Sequence, residues 1–188
     1  MRIVGGKLKG RALTSVGKGD MAAHLRPTTD RVRESIFNLL QNGGYGEPLD
    51  GARVLDLFAG TGALGLEALS RGASLAVFLD NGRKARALVS ANIDLCKLSD
   101  IARFIAMDLS NLKPWKGPPF NLIFLDPPYG AGLGTRALLA VKNHGWLAKD
   151  ALIVWEENAR QTAPLGFSSL DARRYGDTWV NILRADAV

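Results

Sequence analysis

Apolar and polar positions along the chain fall into two regimes. In the first, Val32, Ile36, Leu39 and Leu40 recur at i, i+4, i+7 and i+8, which is one stripe of a helix. Pro27 and Thr28 open that helix, Thr28 or Thr29 can cap it, and Gly43-Gly44 stops it. From residue 53 onward, short and almost wholly apolar runs alternate with longer periodic ones. Strands are predicted at 53–57, 75–79, 102–106, 121–125 and 151–155. Helices are predicted at 62–71, after the 75–79 strand through about Lys97, and at 135–144. Two further extended pieces, near 167–175 and 178–184, meet at Gly176-Asp177 and predict an antiparallel hairpin. Continuous apolar strands separated by helices mark a buried, mostly parallel sheet. The expected fold class is therefore α/β, a doubly wound sheet with a closing hairpin.

Ahead of that sheet, Ile3-Val4 and Leu13 flank Gly5-Gly6 and Gly10, which predicts a basic β-hairpin, with a loop at 17–25. The expected division is 1–45, a basic hairpin and helix, and 46–188, the sheet domain. Charge sharpens this division. Residues 1–33 carry eight basic and two acidic side chains, while the rest of the chain carries sixteen of each, so the whole net charge of +6 sits in the arm. A polyanionic partner is implied. Lys7, Lys9 and Arg11 stand at i, i+2 and i+4, the spacing of one strand face. For an ordinary charge run the competing account is a solvated surface. Removing residues 1–16 is expected to abolish the reaction on the polyanion and its salt dependence, and to spare small-ligand binding by the sheet domain.

Composition excludes several classes. At 47% hydrophobic and 22% charged, the chain is too apolar for disorder. One cysteine (Cys96) and two histidines allow neither an internal disulfide nor a Cys/His zinc cluster. No apolar run approaches a bilayer span, and the N-terminus lacks an apolar leader segment. A cytoplasmic monomer with no membrane or metal partner is expected. Cys96 and the four tryptophans, Trp115, Trp146, Trp155 and Trp179, are expected to be packing residues.

The first strand runs into Asp56-Leu57-Phe58-Ala59-Gly60-Thr61-Gly62-Ala63-Leu64-Gly65, and Asp80 follows Gly60 by twenty residues. The glycines satisfy G-x-G-x-x-G, a dinucleotide fingerprint that is weak alone, since glycines there can simply shape a strand–helix turn. Asp56 changes the ligand. A carboxylate at the strand's end repels a pyrophosphate and attracts a cationic amino-acid moiety. S-adenosylmethionine carries an ammonium, a sulfonium and a ribose, and no phosphate. The stretch resembles motif I of class I methyltransferases, a Rossmann-like fold with a seven-stranded, mostly parallel sheet. That resemblance implies a cofactor site at Asp56, Phe58, Ala59, Gly60, Thr61, Gly62, Asp80 and Asn81. It adds Asp108 and Leu109 after the third strand, as adenine contacts, although Asp108-Leu109-Ser110-Asn111 is also good turn chemistry.

The fourth strand ends in Asp126-Pro127-Pro128-Tyr129. Two prolines remove two N–H donors, so the corner offers acceptors. The Asp126 carboxylate and the Pro127 carbonyl suit the two donors of a planar exocyclic amine, and Tyr129 offers a face for a base to stack on. Alone, these four residues are also a rigid turn after a buried strand. Their weight comes from the expected position of this strand, next to the first, at the topological switch point.

The arm carries a more specific likeness. Arg2-Ile3-Val4-Gly5-Gly6, Gly10-Arg11-Ala12-Leu13 and Leu25 through Asn38 resemble the RsmD family of 16S rRNA guanine-N2 methyltransferases. The likeness continues through motif I, the Asp-Pro-Pro-Tyr corner, Glu156-Glu157 and Tyr175-Gly176-Asp177-Thr178. It implies methyl transfer from S-adenosylmethionine, with S-adenosylhomocysteine as product, to a guanine N2 in the small ribosomal subunit or its assembly intermediate. Asp126, Pro127, Pro128 and Tyr129 would be catalytic. Arg2, Lys7, Lys9, Arg11, Arg26, Thr28 and Arg33 would contact RNA, with Arg26 or Arg33 on a phosphate and Thr28 alternatively a helix cap. The family commonly has Glu at the position of Asp80, so the ribose contact here would be shorter. Rival readings are an amino-methyltransferase acting on adenine N6 or cytosine N4 in DNA or other RNA, a protein glutamine methyltransferase, a nucleotide-dependent oxidoreductase, and a non-catalytic RNA-binding module.

Overall fold

The computed structural model describes residues 1–15, 29–106, 108 and 111–186. Arg26, Thr28 and Leu109 lie outside the described residues. Helix α1 (Asp30–Asn42) starts from Thr29, whose hydroxyl accepts a hydrogen bond from the Val32 N–H, and ends at Gly43.

Strands β1 (Arg53–Leu57), β2 (Leu75–Asp80), β3 (Ala102–Ala106), β4 (Phe120–Leu125), β5 (Leu147–Glu157), β6 (Phe167–Tyr175) and β7 (Thr178–Ala185) form one sheet, ordered β3-β2-β1-β4-β5-β7-β6. The first five run parallel, and β7 is antiparallel to both β5 and β6. This is the seven-stranded, mostly parallel sheet expected. β5 starts four residues before its apolar run, because Lys149 and Asp150 are solvent-exposed and carry no apolar period. The β4–β5 register also shifts between Phe120 and Leu122.

Helices α2 (Ala63–Ser70) and α3 (Arg83–Cys96) share one face of the sheet with α1 and the N-terminal arm. Helix α4 (Leu133–Asn143) covers the other face, with Trp146 and Trp155 buried beneath it. Cys96 is buried and unpaired with any cysteine. Because β1 is flanked by β2 on one side and β4 on the other, a crevice opens between the carboxyl ends of β1 and β4.

The arm keeps the predicted hairpin in a short form but not its predicted basic face. Among the described residues it pairs at one antiparallel bridge, Arg2 to Ala12, with the Ile3 N–H on the Arg11 carbonyl at 2.9 Å and the Leu13 N–H on the Met1 carbonyl at 3.1 Å, around a 3-10 turn at Gly6–Leu8. Lys7 lies in that turn and Lys9 ends it, so Lys7, Lys9 and Arg11 do not share a strand face. Beside its own hydrogen bonds, the arm's backbone is also fastened to the sheet domain around this turn. The Val4 N–H donates to Glu67 at 2.8 Å, the Leu8 N–H donates to the Ser70 hydroxyl at 2.9 Å, and that hydroxyl donates to the Gly5 carbonyl at 2.6 Å. Asn92 clasps Thr14, accepting its N–H at 2.7 Å and donating to its carbonyl at 3.0 Å. Ile3 and Leu13 are buried in the core that holds α1 and α2. Removing residues 1–16 would therefore strip Glu67, Ser70 and Asn92 of partners and open that core. Such a deletion takes away fold contacts together with the arm's charge, so it does not isolate the charge.

Arg33 also departs from its expected place. Its side chain is fully buried, with 0% exposure, and cannot reach an external phosphate. Its guanidinium donates to the Arg2 carbonyl and to Asp30 at 2.8 Å, and lies 3.6 Å from Glu67. Spaced four and seven residues before Phe37 and Leu40, Arg33 falls on the inward stripe of α1.

Candidate functional site

The site is assembled at the carboxyl ends of β1, β2 and β4. After Leu57 the chain turns through Phe58, whose φ of 58° is a conformation that aromatic side chains rarely adopt. Strain of that kind persists where the surroundings demand it and gathers at ligand sites. Gly60 and Gly62 follow with φ of 55° and 76°, so the loop can reverse and start α2. A Cβ at Gly65 would lie 2.4 Å from the Phe78 ring, so only glycine lets α2 sit this close to β2.

Asp56 is buried, and its Oδ2 accepts the Gly65 N–H at 2.9 Å. It fastens the first turns of α2 to β1. Burial pushes its carboxyl well above the usual carboxylate range; the Gly65 N–H opposes this, and the charges of Asp126 and Asp80 add to it. Since the folded-state value is raised, the folded chain holds this proton more tightly than the unfolded chain. Asp56 thus favours folding below about pH 4, and that contribution is lost as pH rises toward the folded value. Asp56→Asn keeps an oxygen for Gly65 and removes the charge. Between pH 5 and 8, the wild-type melting temperature should fall relative to the Asn variant. A wild-type value that climbs relative to the variant would contradict this.

Asp80 closes β2, and its two oxygens accept the Gly60 N–H at 3.1 Å and the Gly82 N–H at 2.8 Å. It thereby sets both the glycine loop and the start of α3. Thr61 is buried, and its carbonyl accepts from Asn92 at 2.9 Å, so the residue that clasps the arm also braces this loop from behind. Ala59 is buried, with its N–H on the Leu79 carbonyl at 3.3 Å.

A cavity of about 640 Å³ opens beside this loop, within the range of small-molecule sites. Phe58, Asp80, Asn81 and Asp108 line one side, and Leu133, Arg136 and Ala137 of α4 line the other. The motifs alone do not point to the α4 wall. Its signal is topological: α4 follows the Asp-Pro-Pro-Tyr corner on a strand next to β1, so its first turns must fall over the crevice.

Leu57 pairs with Leu125, and the Asp126 N–H reaches the Leu57 carbonyl at 3.4 Å. The two motifs are thus neighbours on adjacent strands, as expected. Pro127 is buried, Pro128 is exposed and Tyr129 is half-buried. The Tyr129 hydroxyl lies 3.5 Å from the Thr178 hydroxyl, which brings the β6–β7 turn to the site. Above the corner, a Cβ at Gly134 would stand 2.3 Å from the Trp155 indole, so α4 is seated closely on β5. Of the arm's cations, Arg2, Lys7, Lys9 and Arg11 are exposed, with Arg2 3.7 Å from Asp30.

The fold and site match known proteins. A model of the family described as conserved hypothetical protein 95 matches residues 1–184. The chain is 39% identical over 171 residues to ribosomal RNA small subunit methyltransferase D of Escherichia coli, covering 89% of this chain and 81% of that one. It is 37% identical over 190 residues to the Bacillus subtilis protein YlbH, a candidate rRNA methyltransferase, covering 98% of each. Among solved structures, the Escherichia coli candidate methyltransferase yhhF superposes with a TM-score of 0.82 at 36% identity, covering 100% of this chain and 99% of that one.

Proposed function

Because this chain belongs to the family of ribosomal RNA small subunit methyltransferase D and has the class I methyltransferase fold, we propose that it methylates the exocyclic N2 amine of a guanine in 16S rRNA, using S-adenosylmethionine. The observation that carries this reading is that the glycine loop and the Asp126-Pro127-Pro128-Tyr129 corner leave the carboxyl ends of paired strands, with a cavity next to the loop at Phe58 and Asp80.

The wall residues fit the cofactor. Asp80 and Asp108 put carboxylates where a ribose and an adenine amine offer donors, and where a dinucleotide's phosphates would be repelled. Asp56, by accepting the Gly65 N–H, fixes the glycine loop on which the cofactor would lie. When bound, S-adenosylmethionine supplies an electrophilic methyl group on a sulfonium. The protein's task is to hold the amine in line with it, and orientation of this kind supplies about 7–11 kcal/mol of a barrier. Asp126 and the Pro127 carbonyl accept from the amine and direct its nitrogen lone pair. Tyr129, steadied by Thr178, stacks on a base extruded from its helix. Asp126 takes the proton the amine sheds.

The partner is 16S rRNA in the small ribosomal subunit or an assembly intermediate, held through phosphate contacts from Arg2, Lys7, Lys9 and Arg11. Arg26 and Thr28 remain candidates for the same role. The Lys7→Ala/Lys9→Ala/Arg11→Ala triple variant should bind subunits more weakly. The slope of log affinity against log salt should flatten by about one for each phosphate no longer held. Its melting temperature should be unchanged, because all three side chains are exposed. An unchanged slope would remove the arm from RNA binding. The reaction is tested by incubating the protein with labelled S-adenosylmethionine and either small subunits or duplex DNA. Label is expected in the 16S rRNA, and label in DNA alone would favour the adenine or cytosine reading.

A further inference from the structure

An amine-holding corner does not by itself distinguish guanine from adenine or cytosine, since each carries an exocyclic amine. The atom beside the amine does distinguish them. Guanine presents N1–H, a donor, whereas adenine N1 and cytosine N3 are bare acceptors. A flipped base is read along this edge. Selecting guanine therefore calls for one more acceptor next to those that hold the amine.

The strand register points to Glu156 as the candidate. Strands β4 and β5 run parallel with Leu125 beside Trp155, so the next pair in register is Asp126 beside Glu156. Adjacent strands lie about 4.8 Å apart. Leu125 and Trp155 pack into the α4-side core, while Phe124 and Val154 pack on the α1 and α2 side. Alternation then puts the Asp126 and Glu156 side chains together on the α1 and α2 face of the sheet. Val180, the cross-strand partner of Glu156 on β7, packs on the same face. Glu156 is 2% exposed, so its carboxylate is a fixed group in a low-dielectric wall. Glu157 alternates to the opposite face, and its Oε1 accepts the Asn158 N–H at 3.0 Å.

We propose that Glu156 selects the target base by accepting guanine N1–H while Asp126 and the Pro127 carbonyl take the N2 amine. This inference rests on the guanine-N2 reading above. Against adenine or cytosine, the Glu156 carboxylate faces a lone pair, and a buried acceptor set without its donor rejects a base strongly.

The test uses small subunits carrying 2-aminopurine in place of the methylated guanine. This base keeps the 2-amine and leaves N1 bare. The wild-type protein should methylate guanine at least about a hundredfold faster. In Glu156→Gln the amide can donate to the bare N1. Transfer to guanine should fall, transfer to 2-aminopurine should rise, and the ratio should shrink about tenfold or more. Calorimetric binding of S-adenosylhomocysteine and the melting temperature should match wild type. A folded Glu156→Gln that keeps the wild-type ratio would overturn the proposal. If that variant does not fold, the wild-type comparison decides alone, because equal rates on guanine and 2-aminopurine would overturn it. Absence of N2 methylation in unmodified subunits would overturn the reaction itself, an outcome distinct from lost discrimination.

Discussion

Asp126→Ala should lower methyl transfer to small subunits by about two to three orders of magnitude, the usual effect of removing one oriented hydrogen-bonding group from a reacting centre. S-adenosylmethionine should bind this variant as it binds wild type. The two results separate because of where Asp126 stands. It follows β4 at the crevice mouth, whereas the cavity wall is built from Phe58, Asp80, Asn81, Asp108 and α4. The backbone bond from the Asp126 N–H to the Leu57 carbonyl, which ties the corner to β1, survives the substitution. Single-turnover label transfer and calorimetry check the two halves. Near-wild-type transfer by Asp126→Ala would remove this carboxylate from the chemistry.

Glu67→Ala should destabilise the fold by about 3–5 kcal/mol, the cost of breaking a buried charge pair. Glu67 is fully buried on α2 and joins three parts of the chain. It accepts the Val4 N–H of the arm, receives Arg71 at 2.8 Å, and lies 3.6 Å from the buried Arg33 of α1. Removing it leaves an arm N–H without its acceptor and takes from Arg33 a carboxylate that balanced its charge. For a chain of this length the melting temperature should drop by roughly ten degrees or more. A drop under about two degrees would show that the junction between arm and sheet does not depend on this residue.

These two residues also mark what is and is not legible in the sequence. Asp126 is legible because its signal is local. Two prolines after an apolar strand restrict the backbone whatever surrounds them, and the strand's place beside β1 follows from the doubly wound order. The strands are legible for a similar reason, since burial on both faces leaves an apolar run whose ends mark the sheet's edges. Glu67 is not legible. It sits mid-helix, and its partners Val4 and Arg33 come from distant parts of the chain. The basic face of the arm misleads on the same account. Its turn residues point to a hairpin, which forms, but the groups that fasten it, Glu67, Ser70 and Asn92, lie more than sixty residues away. Arg33 counts with the surface charge only while the stripe on α1 is read from apolar residues alone. Its spacing to Phe37 and Leu40 already turns it inward. The +6 of the arm is therefore smaller as a surface than as a sum: Arg33 is consumed by the core, and Arg2 is shared with Asp30.

Motif I shows a subtler gap. The glycine spacing locates the loop and the cavity beside it. The same spacing suggests that Asp56 meets the ligand directly, whereas the structure turns its Oδ2 onto Gly65. A carboxylate expected at the ligand thus secures α2 to β1.

The central claim is that this chain places a methyl group on the N2 of one guanine of 16S rRNA. The most direct measurement incubates small subunits lacking the modification with the purified protein and S-adenosylmethionine, then digests the 16S rRNA and identifies the methylated nucleoside by mass spectrometry. A single N2-methylguanosine, absent from the parallel Asp126→Ala reaction, is the predicted result. A methyl group on adenine or cytosine, or an rRNA left unmodified by an enzyme that binds the cofactor, would contradict the claim.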